Sequence, residues 1–242
     1  MQAAPYTTEE DVRKRLGLIV LQADETIEDE FRHLIPGDVR LMVSRVPSGA
    51  EVTPETLAEM AENLTGAARL FPRSVVLDAV GYACTSGTAE IGSSTVARLV
   101  SDGVRTRAVT NPVDALVAAC RACGVRRLNL LSPYVPQVSE RLVRVLADHG
   151  IEIAGLASFN ESEEAAVARI SGDSIVKAAE ALARSDAADA MFLSCTNLRT
   201  AGLLGPLAER LGCPVWSSNH VLAWHLLHLC DAERYPSPQV SA

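Results

Sequence analysis

Val80-Gly81-Tyr82-Ala83-Cys84-Thr85-Ser86 is a short apolar run that stops at a cysteine followed by two hydroxyl side chains. The pattern returns 111 residues later as Phe192-Leu193-Ser194-Cys195-Thr196-Asn197. Each copy reads as the end of a buried strand, and each is followed by a helical pattern. A spacing close to half of the 242-residue chain is what two similar lobes would give, each contributing one copy of the same loop.

Outward from these two turns, β-rich runs alternate with helical patterns. The strand candidates are 16–21, 39–46, 75–80, 106–109, 128–132, 151–157, 190–194 and 214–216. Amphipathic stretches at 54–70, 88–100, 136–148 and 174–183 lie between them. Such alternation predicts an α/β fold of parallel strands with covering helices. Eight strands favour two four-stranded lobes over a single sheet. Asn111-Pro112 places a capping side chain before a proline at the first helical position. Thr26 is expected to cap a helix whose first turn holds Glu28, Asp29 and Glu30, which suits the helix dipole.

Composition removes several function classes. The net charge is −8, and the densest basic cluster is Arg13-Lys14-Arg15 in a short N-terminal lead. A nucleic-acid or anionic-membrane partner would call for a basic face. The run 211–230 contains no Asp, Glu, Lys or Arg, but Pro214, Ser217, Ser218, Asn219 and three histidines mark it as a buried strand followed by a buried helix rather than a membrane span. No targeting segment is visible, and the six cysteines are not spaced as a disulfide scaffold, so reduced thiols in the cytoplasm are expected. Cys120 and Cys123 form a lone CxxC pair within an Ala-rich helical pattern, which reads as packing. Cys213 and Cys230 read the same way. No glycine-rich nucleotide loop is present. Lys14 and Lys177 are the only lysines, and neither is placed to form a Schiff base. His225 and His228 share a helix face without an acidic or thiol ligand near them, so no metal is expected.

Both Cys-Thr turns fall at the carboxyl ends of strands, where open α/β folds bind ligands. A thiol there feels the positive end of the following helix, which is expected to lower its pKa and free a thiolate as base or nucleophile. Unpaired backbone N–H groups can hold a carboxylate. Thr85, Ser86, Thr196 and Asn197 add side-chain donors. One such cysteine is commonly a small core residue. Two copies, each followed by threonine and a polar residue, point instead to paired chemistry: one sulfur takes a proton from a carbon while the other delivers one, or one attacks while the other serves as acid or base.

At these residues the chain resembles the aspartate/glutamate racemase superfamily, in the branch that holds maleate cis–trans isomerase and arylmalonate decarboxylase. The similarity runs through Gly17-Leu18-Ile19-Val20, Ala83-Cys84-Thr85-Ser86, Ser132-Pro133-Tyr134-Val135, Phe159-Asn160, Ser194-Cys195-Thr196-Asn197 and Pro214-Val215-Trp216-Ser217-Ser218-Asn219. The resemblance implies two Rossmann-like lobes, pseudo-twofold related, with the active site between them. It assigns 1–109 and 217–242 to the N-terminal lobe, the last helix returning to it, and 110–216 to the second. It makes Cys84 the base or nucleophile and Cys195 its opposed partner, and brings Tyr134 and Asn160 to the substrate. It implies no metal or organic cofactor, and self-association into a homo-oligomer. Decarboxylase members keep only the second cysteine, so having both favours isomerisation or racemisation. One stretch departs from the pattern. Maleate isomerases carry Pro-Ser-Ser-Asn-Thr after the first strand, with the Asn on a substrate carboxylate; here Leu21-Gln22-Ala23-Asp24-Glu25 stands instead. Asp24 would repel a carboxylate if it faces the cleft; its structural alternative is to serve with Thr26 in the cap of the following helix. The turn is more similar to members of the ectoine-utilisation type, and implies a substrate that carries an amino or amido group besides its carboxylate. Maleate isomerisation, a decarboxylase using Cys195 alone, and a non-catalytic small-molecule binder are the other readings.

Overall fold

A computed structural model of the chain describes residues 3–185 and 187–238. The first half runs β1 (Lys14–Leu21), α1 (Ile27–Leu34), β2 (Val39–Val46), α2 (Pro54–Ala68), β3 (Ala79–Ala83), α3 (Thr85–Ile91), α4 (Ser93–Ser101) and β4 (Val109–Thr110). The second runs α5 (Pro112–Cys123), β5 (Arg127–Ser132), α6 (Pro136–Asp148), β6 (Glu152–Ser158), α7 (Glu164–Val167), α8 (Gly172–Ser185), β7 (Ala190–Leu193), α9 (Leu204–Leu211), β8 (Val215–Ser217) and α10 (Ser218–Cys230). The strands form two four-stranded sheets in the orders β2-β1-β3-β4 and β6-β5-β7-β8. Every named pair is parallel. The two lobes thus repeat one topology, as the duplicated Cys-Thr turn predicts.

Strands covered on both faces need apolar residues throughout, and β1 shows it. Leu16, Leu18 and Val20 pack with Ile27 and Phe31 of α1 and with Leu222 and Leu226 of α10. Ile19 and Leu21 face the other way, into a cluster with Leu57 and Leu64 of α2. That second cluster continues across the junction, through Tyr82, Cys84, Leu131, Tyr134, Leu193 and Cys195. α10 is buried nearly all round: its Leu222 and Leu226 lie on the first sheet, and Val221 and Trp224 pack with α5 residues and Trp216. No helix among the described residues is long and apolar enough to cross a membrane.

Three local expectations change. The apolar run 75–80 joins its sheet late: Leu77 makes an isolated parallel bridge to Thr106, and the strand proper begins at Ala79. The helical pattern 88–100 is two helices, broken at Gly92, whose φ of +90° a residue with a side chain seldom adopts. Thr26 occupies the cap position of α1 but makes no side-chain cap. Its hydroxyl donates to the Asn197 carbonyl at 3.0 Å, and Asp24 caps in its place. The Asn111 cap forms as expected, accepting from the N–H groups of Val113 and Asp114.

Candidate active site

In each sheet the chain order reverses between the two central strands, and ligands in open α/β sheets gather at that point. The loops leaving β1 and β3 carry Asp24 and Cys84; those leaving β5 and β7 carry Tyr134 and Cys195. Four of the expected site residues therefore come from equivalent positions of the two lobes.

The two Cys-Thr turns are tied directly together. The Thr85 hydroxyl lies 2.7 Å from the Ser218 hydroxyl, and the latter accepts from the Cys195 N–H at 2.9 Å. In the opposite direction the Thr196 hydroxyl donates to the Ala83 carbonyl at 3.3 Å. Thr85 and Thr196 are thus cross-braces as well as potential ligands. Cys84 caps α3, its sulfur accepting from the Gly87 N–H at 3.1 Å and lying 3.6 Å from the Ser86 hydroxyl. A side chain at Gly87 would come within 2.9 Å of that sulfur, so only glycine leaves this N–H free to reach it. Cys195 has a φ of 116°, a strained value for a residue with a side chain. Such backbone costs about 1–3 kcal/mol and persists where the surroundings enforce it. Here Ser218 holds its N–H, and the Asn219 amide holds the next carbonyl at 2.8 Å.

Burial holds both sulfurs as neutral thiols, against the expectation of lowered pKa values. Burial pushes Cys84 up to about 12, and pushes Cys195 well above the ordinary thiol value. The magnitudes explain why. A helix terminus contributes about 0.3–1 kcal/mol, less than one pKa unit, whereas full burial moves a thiol by several. The nearby Glu164 carboxylate raises both further. A bound ligand that rebalances the charge is what this site needs to free a thiolate.

Tyr134 is 1% exposed, and its hydroxyl lies beside Ser194 and Cys195 without a hydrogen bond of good geometry. The Ser194 hydroxyl and the Asp24 Oδ2 are likewise buried without a hydrogen bond of good geometry, the Thr196 side chain lying beside Asp24. The other oxygen of Asp24 accepts from the N–H groups of Thr26 and Ile27, both at 2.8 Å. Asp24 therefore does two things at once: one oxygen caps α1 and the other is left for something else. Asn197 is a hub, its Oδ1 accepting from the Glu25 N–H at 2.9 Å and its Nδ2 donating to the Glu164 carboxylate at 2.9 Å. Asn160 stands apart, exposed at the end of the edge strand β6 with a φ of 55°.

Glu164 is the site residue that the sequence does not reveal. It closes the acidic run Glu161-Ser162-Glu163-Glu164, which reads as solvated, yet it is 6% exposed. Burial, reinforced by Asp24, lifts its pKa to about 7 from about 4.5 in the unfolded chain. The folded protein then holds this proton more tightly than the unfolded chain does. The stabilisation is complete below about pH 4.5 and is lost as the pH rises through about 7, on the order of 3 kcal/mol in all. Urea titrations across that window are expected to show the decline in the wild type and a flatter profile in Glu164→Gln; identical slopes would mean that Glu164 does not bind the proton.

Comparison with known proteins places this geometry. The family model described as arylmalonate decarboxylase matches residues 16–239. The arylmalonate decarboxylase of Bordetella bronchiseptica is 30% identical over 222 residues, covering 88% of this chain and 89% of that protein. A maleate isomerase of Nocardia farcinica is 28% identical over 229 residues, 90% of each. A solved structure of the Nocardia farcinica maleate cis–trans isomerase, a cysteine-to-serine variant with a covalently bound succinylcysteine intermediate, shares the fold. Its TM-score is 0.77 at 24% identity, covering 90% of this chain and 93% of that one.

Proposed function

We propose that this chain, which belongs to the arylmalonate decarboxylase family, is a two-cysteine isomerase or racemase acting on a small carboxylate that also bears an amino or amido group. The observation that carries the reading is the pair of Cys-Thr turns, equivalent in the two lobes and hydrogen-bonded to each other through Ser218 and Ala83. One sulfur takes up a proton from carbon, or adds to the carbon, and the opposed thiol supplies a proton to the other side. The step is redox-neutral, with the proton lost from one side returned on the other, and the resemblance implies that no metal or organic cofactor takes part. The maleate isomerase relatives support isomerisation, and the succinylcysteine in one of them shows that a sulfur of that enzyme can bond to a four-carbon acid skeleton. Tyr134 with Thr85, Ser86 and Thr196 would hold the carboxylate, and Asn160 would reach it from the rim.

The amino- or amido-bearing substrate, of the kind handled by ectoine-utilisation proteins, is favoured by the Oδ2 of Asp24, buried without a hydrogen bond of good geometry. A buried acceptor welcomes a donor and repels a second carboxylate. The net charge of −8 and the six free cysteines support a cytoplasmic enzyme with neither nucleic acid nor membrane as partner, and the family resemblance supports self-association. Decarboxylation of a malonate-like acid is the second reading, favoured by the 30% identity to the Bordetella enzyme.

Incubation with candidate acids in deuterium oxide, followed by NMR, separates these: exchange at carbon marks isomerisation or racemisation, and carbon dioxide release marks decarboxylation. Asp24→Asn then tests the substrate class. Asparagine keeps an oxygen for the α1 cap and puts a donor where Oδ2 stands. The variant is expected to fold normally, to use the amino-bearing substrate less well, and to bind maleate about tenfold better, the equivalent of one hydrogen bond to a charged group. Efficient maleate turnover by the wild type, unimproved in Asp24→Asn, would sink the amino-substrate reading.

A further inference from the structure

We propose that Glu164 is a specificity residue of this site, presenting its carboxylate alongside that of Asp24 to the nitrogen of the bound substrate. The inference rests on the amino-carboxylate reading above and extends it to a second side chain. The two acids come from different lobes, Asp24 from the turn after β1 and Glu164 from the start of α7. They are 3% and 6% exposed. Asn197 ties them together: its Nδ2 donates to the Glu164 carboxylate, while its Oδ1 and its carbonyl accept from the Glu25 N–H and the Thr26 hydroxyl, the two residues that follow Asp24. Each acid also raises the proton affinity of the Cys195 sulfur. Neither carboxylate is a member of a salt bridge among the described residues. Arg45 spends its charge on Glu28 and on the carbonyls of Leu21, Gln22 and Asp24, and Arg169 is turned outward onto Glu25.

Buried acids without a counter-cation are costly, so they are retained where something else supplies the positive charge or the donors. Asn197 donates to Glu164 and thereby fixes its side chain. The Oδ2 of Asp24 and the hydroxyl of Tyr134 are both buried without a hydrogen bond of good geometry, and both lie in the surroundings of the Cys195 sulfur, an acceptor on one side and a donor on the other. An ammonium group at one end and a carboxylate at the other would satisfy both. A dicarboxylate would set its second negative charge against Asp24 and Glu164. A cation has a further effect here, because it opposes the field by which Glu164 holds up the proton affinity of both thiols.

Succinate and β-alanine test this directly, since they differ by replacement of one carboxylate with an ammonium group. Titration calorimetry on the wild type is expected to show β-alanine binding at least tenfold tighter than succinate. Glu164→Gln is expected to erase or invert that ratio. Proton linkage supplies a readout on the unsubstituted protein, should the variant fail to fold. The titratable groups facing Glu164 are Asp24, Cys84 and Cys195, whose proton affinities burial also raises, and Glu164 itself has a pKa of about 7. Repeated at pH 7 in buffers of different ionisation enthalpy, β-alanine binding should release protons. An unchanged ratio in Glu164→Gln with a shifted one in Asp24→Asn, or absence of proton release, overturns the role of Glu164 and leaves the amino-substrate reading standing. Tighter binding of succinate by the wild type, or binding of neither probe, overturns both.

Discussion

Cys84→Ser and Cys195→Ser are each expected to lower turnover at least about 10³-fold, and the double variant to lose little more than either single one. A hydroxyl is a far weaker nucleophile and base near neutral pH, and groups that act as one unit do not give additive losses. The structure sharpens the case, because both thiols are buried and neutral at rest. Serine fits both environments and leaves the Gly87 N–H and the Ser86 hydroxyl with an oxygen to meet, so folding should survive. The check is the rate of carbon-bound hydrogen exchange by NMR, with melting temperature as control. If Cys195→Ser alone is inactive and Cys84→Ser retains near-normal rates with carbon dioxide release, the decarboxylase reading replaces the two-sulfur one. Substitution of Cys120, which is buried among Val117, Leu116 and Ala119, should change stability without touching chemistry.

Glu30→Ala is expected to cost about 3 kcal/mol of stability and to lower turnover as well. Glu30 lies on α1 of the first lobe and is 7% exposed. Its Oε1 accepts from the N–H groups of Thr200 and Ala201, and its Oε2 from the Asn219 amide at 2.8 Å. Removing the carboxylate orphans these three donors and the Thr200 hydroxyl, which also donates to it, each worth about 1–3 kcal/mol when left dry. A hollow of about 600 Å³ borders Glu30, Thr200 and Ala201, and water entering it would satisfy some of them, which keeps the sum near the lower end. The coupling to activity follows from Asn219, which also holds the carbonyl of Thr196 beside the strained Cys195. A urea midpoint shift with unchanged slope would report the stability loss. A loss below about 0.5 kcal/mol with unaltered turnover would show the carboxylate to be a bystander.

Much of this architecture is legible before any coordinates are known, because parallel strands covered on both faces write themselves as short apolar runs. The boundaries of β2 and α6 coincide with the pattern read from residues 39–46 and 136–148. The duplicated Cys-Thr turn discloses the two lobes and places both sulfurs. What escapes is whatever depends on how the lobes meet. Ser218 and Asn219 sit in a polar trio at the start of an otherwise apolar helix, a pattern that marks them as unusual without naming their partners. Glu164 and Glu30 look like any other acidic residue in a charged run, since burial arrives only when the opposite lobe closes on them. The same closure misleads the reading of the thiols: helix position is local and visible in sequence, while desolvation is global and is the larger effect.

The φ of 116° at Cys195 sets that sulfur apart from its counterpart, which sits in ordinary extended backbone as a helix cap. The two halves of the cysteine pair are thereby not equivalent. One half-site presents its thiol to a backbone donor, and the other holds its thiol on a tensioned loop braced by Ser218 and Asn219. The two directions of a reversible reaction then begin from chemically different resting groups. In a racemisation, the opposite antipodes would meet different first partners, and forward and reverse progress curves in deuterium oxide would not be mirror images. The matching strand orders keep the scaffold symmetric, and the backbone at Cys195 breaks that symmetry at one torsion angle.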